Sequence, residues 1–192
     1  MAQIILASAS PGRRELLDQI GIRYRVQAAD VDETAFAGET PLAYVGRIAA
    51  AKSAWVQSCH KTDLPILAAD TSVVCNGRIL GKPLDEADAA NMLQHLSGCT
   101  HQVYTALSLR ASAEHWQSVS VTDVTFKTLS KAEIRAYWKT GEPVDKAGSY
   151  AIQGLASVFV TAIQGSFSGV VGLPIFETVS LLAQVGIKIL HD

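Results

Sequence analysis

The stretch ILAADTSVVC at positions 66–75, ending on Asn76-Gly77, constrains the fold more than any other feature of the chain. Apart from one charged residue, it is a run that belongs inside a sheet. Asn-Gly is the strongest short-range hairpin signal, because both residues tolerate the positive φ that a tight turn needs. Residues 78–80 are therefore expected to return as a partner strand. Around this hairpin the apolar pattern alternates in type. It predicts strands at 4–7, 24–27, 102–109, 118–129 and around 157–163. Helices are predicted at 11–20, 41 to about 59, roughly 85–96, 131 to near 141, and 174 to about 185. Ser10, Pro11 and Gly21 mark the ends of the first helix. Ser130 and Glu133 form a capping box. A slip in apolar phase between Val121 and Val124 predicts a bulge there. Strands and helices mixed with hairpins imply an α/β or α+β sheet of mixed direction rather than a doubly wound βαβ fold.

A chain of 192 residues with 48% hydrophobic and 18% charged residues reads as one globular domain. Sixteen Lys+Arg against 18 Asp+Glu leave a net charge of −2, which argues against a whole-surface attraction to nucleic acid or to an anionic membrane. Cys59, Cys75 and Cys99 are odd in number and lack a C-x-x-C pair, as in a reducing compartment. His60, His95, His101, His115 and His191 show no paired zinc spacing. The Cys59-His60 neighbours read as the surface end of a helix. The N-terminus lacks a basic n-region, so no signal peptide is expected and the cytoplasm is the expected address. Residues 147–176 carry no formal charge, yet polar residues, glycines and a proline interrupt them. They are expected to form buried strands and turns, not a membrane span.

Four places could carry chemistry. Ser8-Ala9-Ser10-Pro11-Gly12-Arg13-Arg14 joins a strand to a helix N-terminus. Its free backbone N–H groups, the hydroxyls of Ser8 and Ser10 and two arginines suit an anion. A plain helix cap with two solvated arginines fits the same residues. Lys52 projects onto the apolar face made by Leu42, Val45, Ile48, Ala49, Trp55 and Val56, whereas Arg47 falls off it. A charge there needs a carboxylate or a ligand phosphate, unless its stem snorkels out. Asp70 is the charge inside the apolar run, and an ionised carboxylate there costs several kcal/mol unless a cation or metal compensates it. A strand-end Asp bonded to backbone N–H groups is the other reading. Lys82, in Gly81-Lys82-Pro83 just after the hairpin, can turn back toward it. Finally, DKAGSYAIQG at 145–154 has glycines that permit close backbone approach, and Gln153 has the paired donor and acceptor that base recognition uses. A structural turn is equally compatible with those residues. The carboxylates Glu33 and Asp70 with the cations Arg13, Lys52 and Lys82 are what a metal-assisted phosphate hydrolase requires.

On SASPGRRELL, VDET, Lys52, LAADTSVV, GKP, LSGCTHQVYTA, DKAGSYAIQG and VVGLP, the chain resembles the Maf family of nucleotide pyrophosphatases over nearly its whole length. Gln153 in its motif is most similar to the dTTP/UTP branch. The resemblance implies an α/β fold with a mixed twisted sheet flanked by helices, two-lobed with a central cleft, of the inosine-triphosphatase-like (Maf/Ham1) type. It implies hydrolysis of a nucleoside triphosphate to the monophosphate and pyrophosphate with a divalent cation (Mg²⁺, Mn²⁺ or Co²⁺), in a homodimer. By position, Asp70 matches the catalytic base, Arg13, Lys52 and Lys82 the phosphate-side cations, and Glu33 the acidic partner near the metal. Thr71 and Gln153 match positions linked to base choice. The family reads S-x-S-P-R-R; here Gly12 replaces the first arginine, a position tied to substrate selection. The other readings are a pyrophosphatase for modified purine triphosphates and a nucleic-acid-binding regulator of cell division.

Overall fold

The computed structural model describes residues 1–60 and 62–190; His191 lies outside the described residues. In chain order the elements are β1 (Ile4–Leu6), α1 (Pro11–Gln19), β2 (Tyr24–Val26), α2 (Pro41–Cys59), β3 (Ile66–Cys75), β4 (Arg78–Leu80), α3 (Glu86–Leu96), β5 (Thr100–Ala111), β6 (Glu114–Phe126) and α4 (Lys131–Trp138). Short 3₁₀ turns at Ala147–Ser149 and Leu155–Phe159 precede β7 (Val160–Gln164), α5 (Phe167–Val171) and α6 (Ile175–Gln184). The strands form one sheet in the order β2-β1-β3-β5-β6-β7, with β4 paired to β3 off that path. β1 runs parallel to β2 and β3, whereas β4 pairs antiparallel with β3 and β7 with β6, so the sheet is mixed as expected. The chain divides into two compact units, and the division falls within β3, between Asp70 and Thr71.

The first unit comprises Met1–Asp70, Thr105–Ser120 and the chain from Gly172 onward. β1 is buried along its length, with Ile5 opposite Ile66 and Leu6 opposite Leu67. Ile5, Ala7, Val56, Ile66 and Ala68 form a core cluster against which Trp55 and Leu64 pack. Each such large side chain taken from water stabilises the fold by roughly 1.5–3 kcal/mol. α2 opens at Thr40, whose hydroxyl accepts the Ala43 N–H at 3.3 Å, and buries Val45, Ile48, Ala49, Ser53 and Val56. Leu42, expected on the buried face, is exposed: it lies in the first turn, before the helix meets the core. α1 begins at Pro11 with Ser10 in the cap position, but the Ser10 side chain makes no capping bond.

The second unit comprises Thr71–Tyr104 and Val121–Val171. Asn76 and Gly77 both take positive φ (50° and 76°), closing the anticipated hairpin with Val73 opposite Leu80. Leu93, Leu96, Phe126, Ile134, Tyr137, Tyr150 and Phe159 belong to its core. The capping box of Ser130 and Glu133 is present at the start of α4.

Three expectations need correction. β5 and β6 are longer at their shared turn than the pattern suggested, because Ser112 adopts a φ of 51° without glycine. No phase slip occurs between Val121 and Val124. Ser120, Thr122, Val124 and Phe126 alternate inward while Val121 faces out, and the irregularity falls at Thr125/Phe126 opposite β7. Polar residues on the inner face had disguised the period. Residues 147–176 hold only one strand, β7, which is largely exposed because it ends the strand order; the rest is 3₁₀ turns, α5, loop and the first residues of α6.

Candidate active site

Asp70 ends the first unit's share of β3 with its side chain 8% exposed, deep enough that its charge requires a partner. Lys52 supplies it. From the inner side of α2, its Nζ lies 2.7 Å from Asp70 Oδ1 and 2.8 Å from Glu33 Oε1. The helical phase that placed Lys52 inward therefore holds, and its partners are carboxylates.

Glu33 comes from the loop before α2, and two side chains of that helix hold the loop. Tyr44 donates to the Glu33 carbonyl at 2.9 Å. Arg47 reaches the Thr34 carbonyl at 3.0 Å, pairs with both oxygens of Glu39 at 2.7 Å, and stacks 3.9 Å above the Phe36 ring. The Arg47 bond holds the Glu39 carboxyl down at about 2. Burial first, and then the charges of Asp70 and Glu33, push the Tyr44 hydroxyl up to about 12. Arg47 is thus off the core face, as its phase implied, yet it anchors the segment that carries Glu33. Helical periodicity carries no signal for such a role.

Of the two arginines in the first motif, only Arg14 is solvated. Arg13 is buried, donating from Nε to the Gly172 carbonyl at 2.8 Å and from Nη1 to Ser8 Oγ at 2.9 Å. Ser8 Oγ also accepts the Ser10 N–H at 3.2 Å. Burial pulls the Arg13 guanidinium below its ordinary value, while the negative charges of Asp70 and Glu33 pull the other way. Arg14 is exposed, and Gly12 is buried in the first turn of α1. The Gly172 contact was not foreseeable from spacing, since it joins positions 159 residues apart.

Ser8, Ser10, Gly12, Arg13, Glu33, Lys52 and Asp70 therefore all belong to the first unit, whereas Thr71, Lys82 and Gln153 belong to the second. Within the second unit, the Gly148 N–H bonds the Gly81 carbonyl at 2.9 Å, so the DKAGSY turn is tied to the residue before Lys82. Lys82 and Gln153 are exposed and Thr71 is partly buried. Among the described residues no group of three or more His, Cys, Asp or Glu side chains is placed to hold a metal. The donor set that does converge is Glu33 and Asp70, two hard carboxylates aimed at one positive centre, now Lys52 Nζ. A divalent cation bound by one or two carboxylates together with substrate phosphates fits those donors.

The fold is a mixed α/β sheet, and at the end of the first unit's share of β3 one lysine is held by two carboxylates. The chain belongs to the Maf family, whose model, described as Maf-like protein, matches residues 3–185. A dTTP/UTP pyrophosphatase of Methylococcus capsulatus is 51% identical over 96% of this chain and 92% of its own length. One from Colwellia psychrerythraea is 53% identical over 96% and 89%. Among solved structures, the Staphylococcus aureus Ham1 protein aligns with a TM-score of 0.47 and 20% identity, over 64% of this chain and 71% of its own. No described helix is long and apolar enough to cross a membrane.

Proposed function

We propose that this protein is a nucleoside triphosphate pyrophosphatase that hydrolyses dTTP and UTP to the monophosphate and pyrophosphate. The observation that carries the reading is the Asp70–Lys52–Glu33 cluster, with Arg13 buried within reach of its charge, in a chain about half identical to dTTP/UTP pyrophosphatases. Asp70 accepts a proton from a water molecule as the water oxygen bonds to the α-phosphorus. The bond from that phosphorus to the α–β bridging oxygen breaks, and pyrophosphate departs with the bonding pair. Lys52 and Arg13 oppose the charge that builds on the phosphate oxygens, which preorganised cations do without reorganisation. Glu33 and Asp70 are the residues that would hold a divalent cation, which when bound neutralises phosphate charge. Lys82 is the third phosphate-side cation, and Thr71 and Gln153 meet the base. The family resemblance adds a homodimer in the cytoplasm as part of the proposal, and light scattering checks the dimer.

Asp70→Asn is the test. It keeps the size of the side chain and should lower kcat by about 10² or more, the scale of a lost general base. Both proteins are assayed on dTTP, UTP, CTP and purine triphosphates with Mg²⁺, Mn²⁺ and Co²⁺. A folded variant with near-normal turnover removes Asp70 as the base. Faster turnover of the purine triphosphates overturns the substrate assignment.

A further inference from the structure

Gln153 is exposed, whereas the preceding residues 148–152 are buried. The turn around it is closed by the Gly154 N–H bonding the Ala151 carbonyl at 3.0 Å. Two side chains hold that turn. The Ala151 N–H donates to the Tyr137 hydroxyl at 3.1 Å, and that hydroxyl donates to Glu142 Oε1 at 2.7 Å. Glu142 also accepts the Leu155 N–H at 2.8 Å on Oε2 and the Ala156 N–H at 3.2 Å on Oε1. The carboxylate thus holds the chain after Gln153 directly and the chain before it through the Tyr137 hydroxyl. The fit is close: a Cβ at Gly154 would overlap the Glu142 carboxylate, so the absence of a side chain there is what lets the carboxylate reach both N–H groups. Burial opposes the charge on Glu142, but the bonds from Leu155, Tyr137 and Ala156 outweigh it and hold the group below its ordinary value. Tyr137 is itself fixed, its ring edge-on to Phe159 with centroids 5.2 Å apart.

We infer that Glu142 is a positioning residue for base selection: it locks the turn after Gln153 directly and before it by way of the Tyr137 hydroxyl, so that the exposed amide is presented in one orientation. The inference rests on the reading that Gln153 meets the base. A polar group discriminates only when its direction is set before the ligand arrives, since a mobile amide adapts to the wrong base as readily as to the right one. The core contacts of Ile152, Ala156 and Phe159 fix the depth of the segment. The carboxylate fixes the course of the backbone between them.

The experiment measures kcat/KM for dTTP, UTP, dATP and GTP with the wild type, Glu142→Gln, Gln153→Ala and the double variant. Glutamine keeps the shape of Glu142 but replaces one of its acceptors with a donor. Each single variant is expected to lower the pyrimidine-over-purine ratio by roughly tenfold, the scale of one lost hydrogen bond. In Glu142→Gln the loss should fall on the pyrimidine KM more than on kcat. The double variant should be no less selective than the weaker single one, because Glu142 acts through Gln153. An unchanged ratio in Glu142→Gln, or losses that add in the double variant, overturns the inference while leaving base reading by Gln153 standing. An unchanged ratio in Gln153→Ala overturns that reading and the inference with it. Tyr137→Phe, which keeps the ring and removes only the hydroxyl, serves if Glu142→Gln fails to fold. It should lower the same ratio in the same direction, and an unchanged ratio in a folded Tyr137→Phe overturns the inference.

Discussion

At Lys52, two carboxylates share one ammonium, and removing it takes from Asp70 and Glu33 the charge that bridges them. Lys52→Ala is therefore expected to lower kcat/KM by roughly 10- to 10²-fold, the scale of a lost charge-assisted bond. Arg47→Ala should cost less. Its guanidinium holds the loop of Glu33 by way of Thr34, Glu39 and Phe36 rather than meeting Asp70. Steady-state kinetics on dTTP for both variants decides, and equal small losses would remove Lys52 from the reaction. The inward phase of Lys52 and the lone charge of Asp70 could be read from the residues, because helical period and an interrupted apolar run are local patterns. Glu33 as a partner could not. Its loop has no period, and its position depends on contacts made by Tyr44 and Arg47.

Elements were easiest to read where caps and turns coincide with apolar period, as in α2, α4 and the β3–β4 hairpin. They were hardest over 147–164, where 3₁₀ turns leave no periodic trace. Gly148 shows what holds that region. It has a φ of +67°, and a Cβ there would lie 2.9 Å from Val73 side-chain carbons on β3. Both the backbone angle and the packing exclude a side chain. Gly148→Ala is expected to destabilise the protein by about 2 kcal/mol or more, read as a fall in the urea midpoint at unchanged slope. An unchanged midpoint would mean that the turn does not bear on Val73.

For the molecule as a whole, the dependence of stability on pH follows from groups that folding moves away from their ordinary values. His101 is buried, with Nε2 2.8 Å from the Tyr150 hydroxyl, and burial lowers its pKa from 6.5 to about 4. Between those values the unfolded chain binds a proton that the folded chain refuses. The contribution of His101 is therefore fully present above pH 6.5 and is lost as the pH falls toward 4, at most about 3 kcal/mol. Glu39 and Glu133, both held near 2 by a basic neighbour, act lower: their contribution is present above 4.5 and is lost as the pH falls from there toward 2. Urea unfolding at pH 7.5 and 5 should show a weaker protein at pH 5, with most of that difference gone in His101→Gln. A difference that survives the substitution would assign it to other groups.

Local chemistry alone was enough for the helix starts, the hairpin and the two charges that must lie inside, because each depends on neighbours within a few residues. The family motifs rest on the same short stretches. Folding decided the rest: that Arg13 is buried against the carbonyl of Gly172, that Lys52 is shared between Asp70 and Glu33, and that Glu142 and Tyr137 together hold the two flanks of Gln153. A hydrogen-bonding side chain states what it can bond, but burial and direction are set by whichever distant segment packs against it. Those choices are properties of the closed chain, since a buried charge is stable only where its partners have already been brought to it.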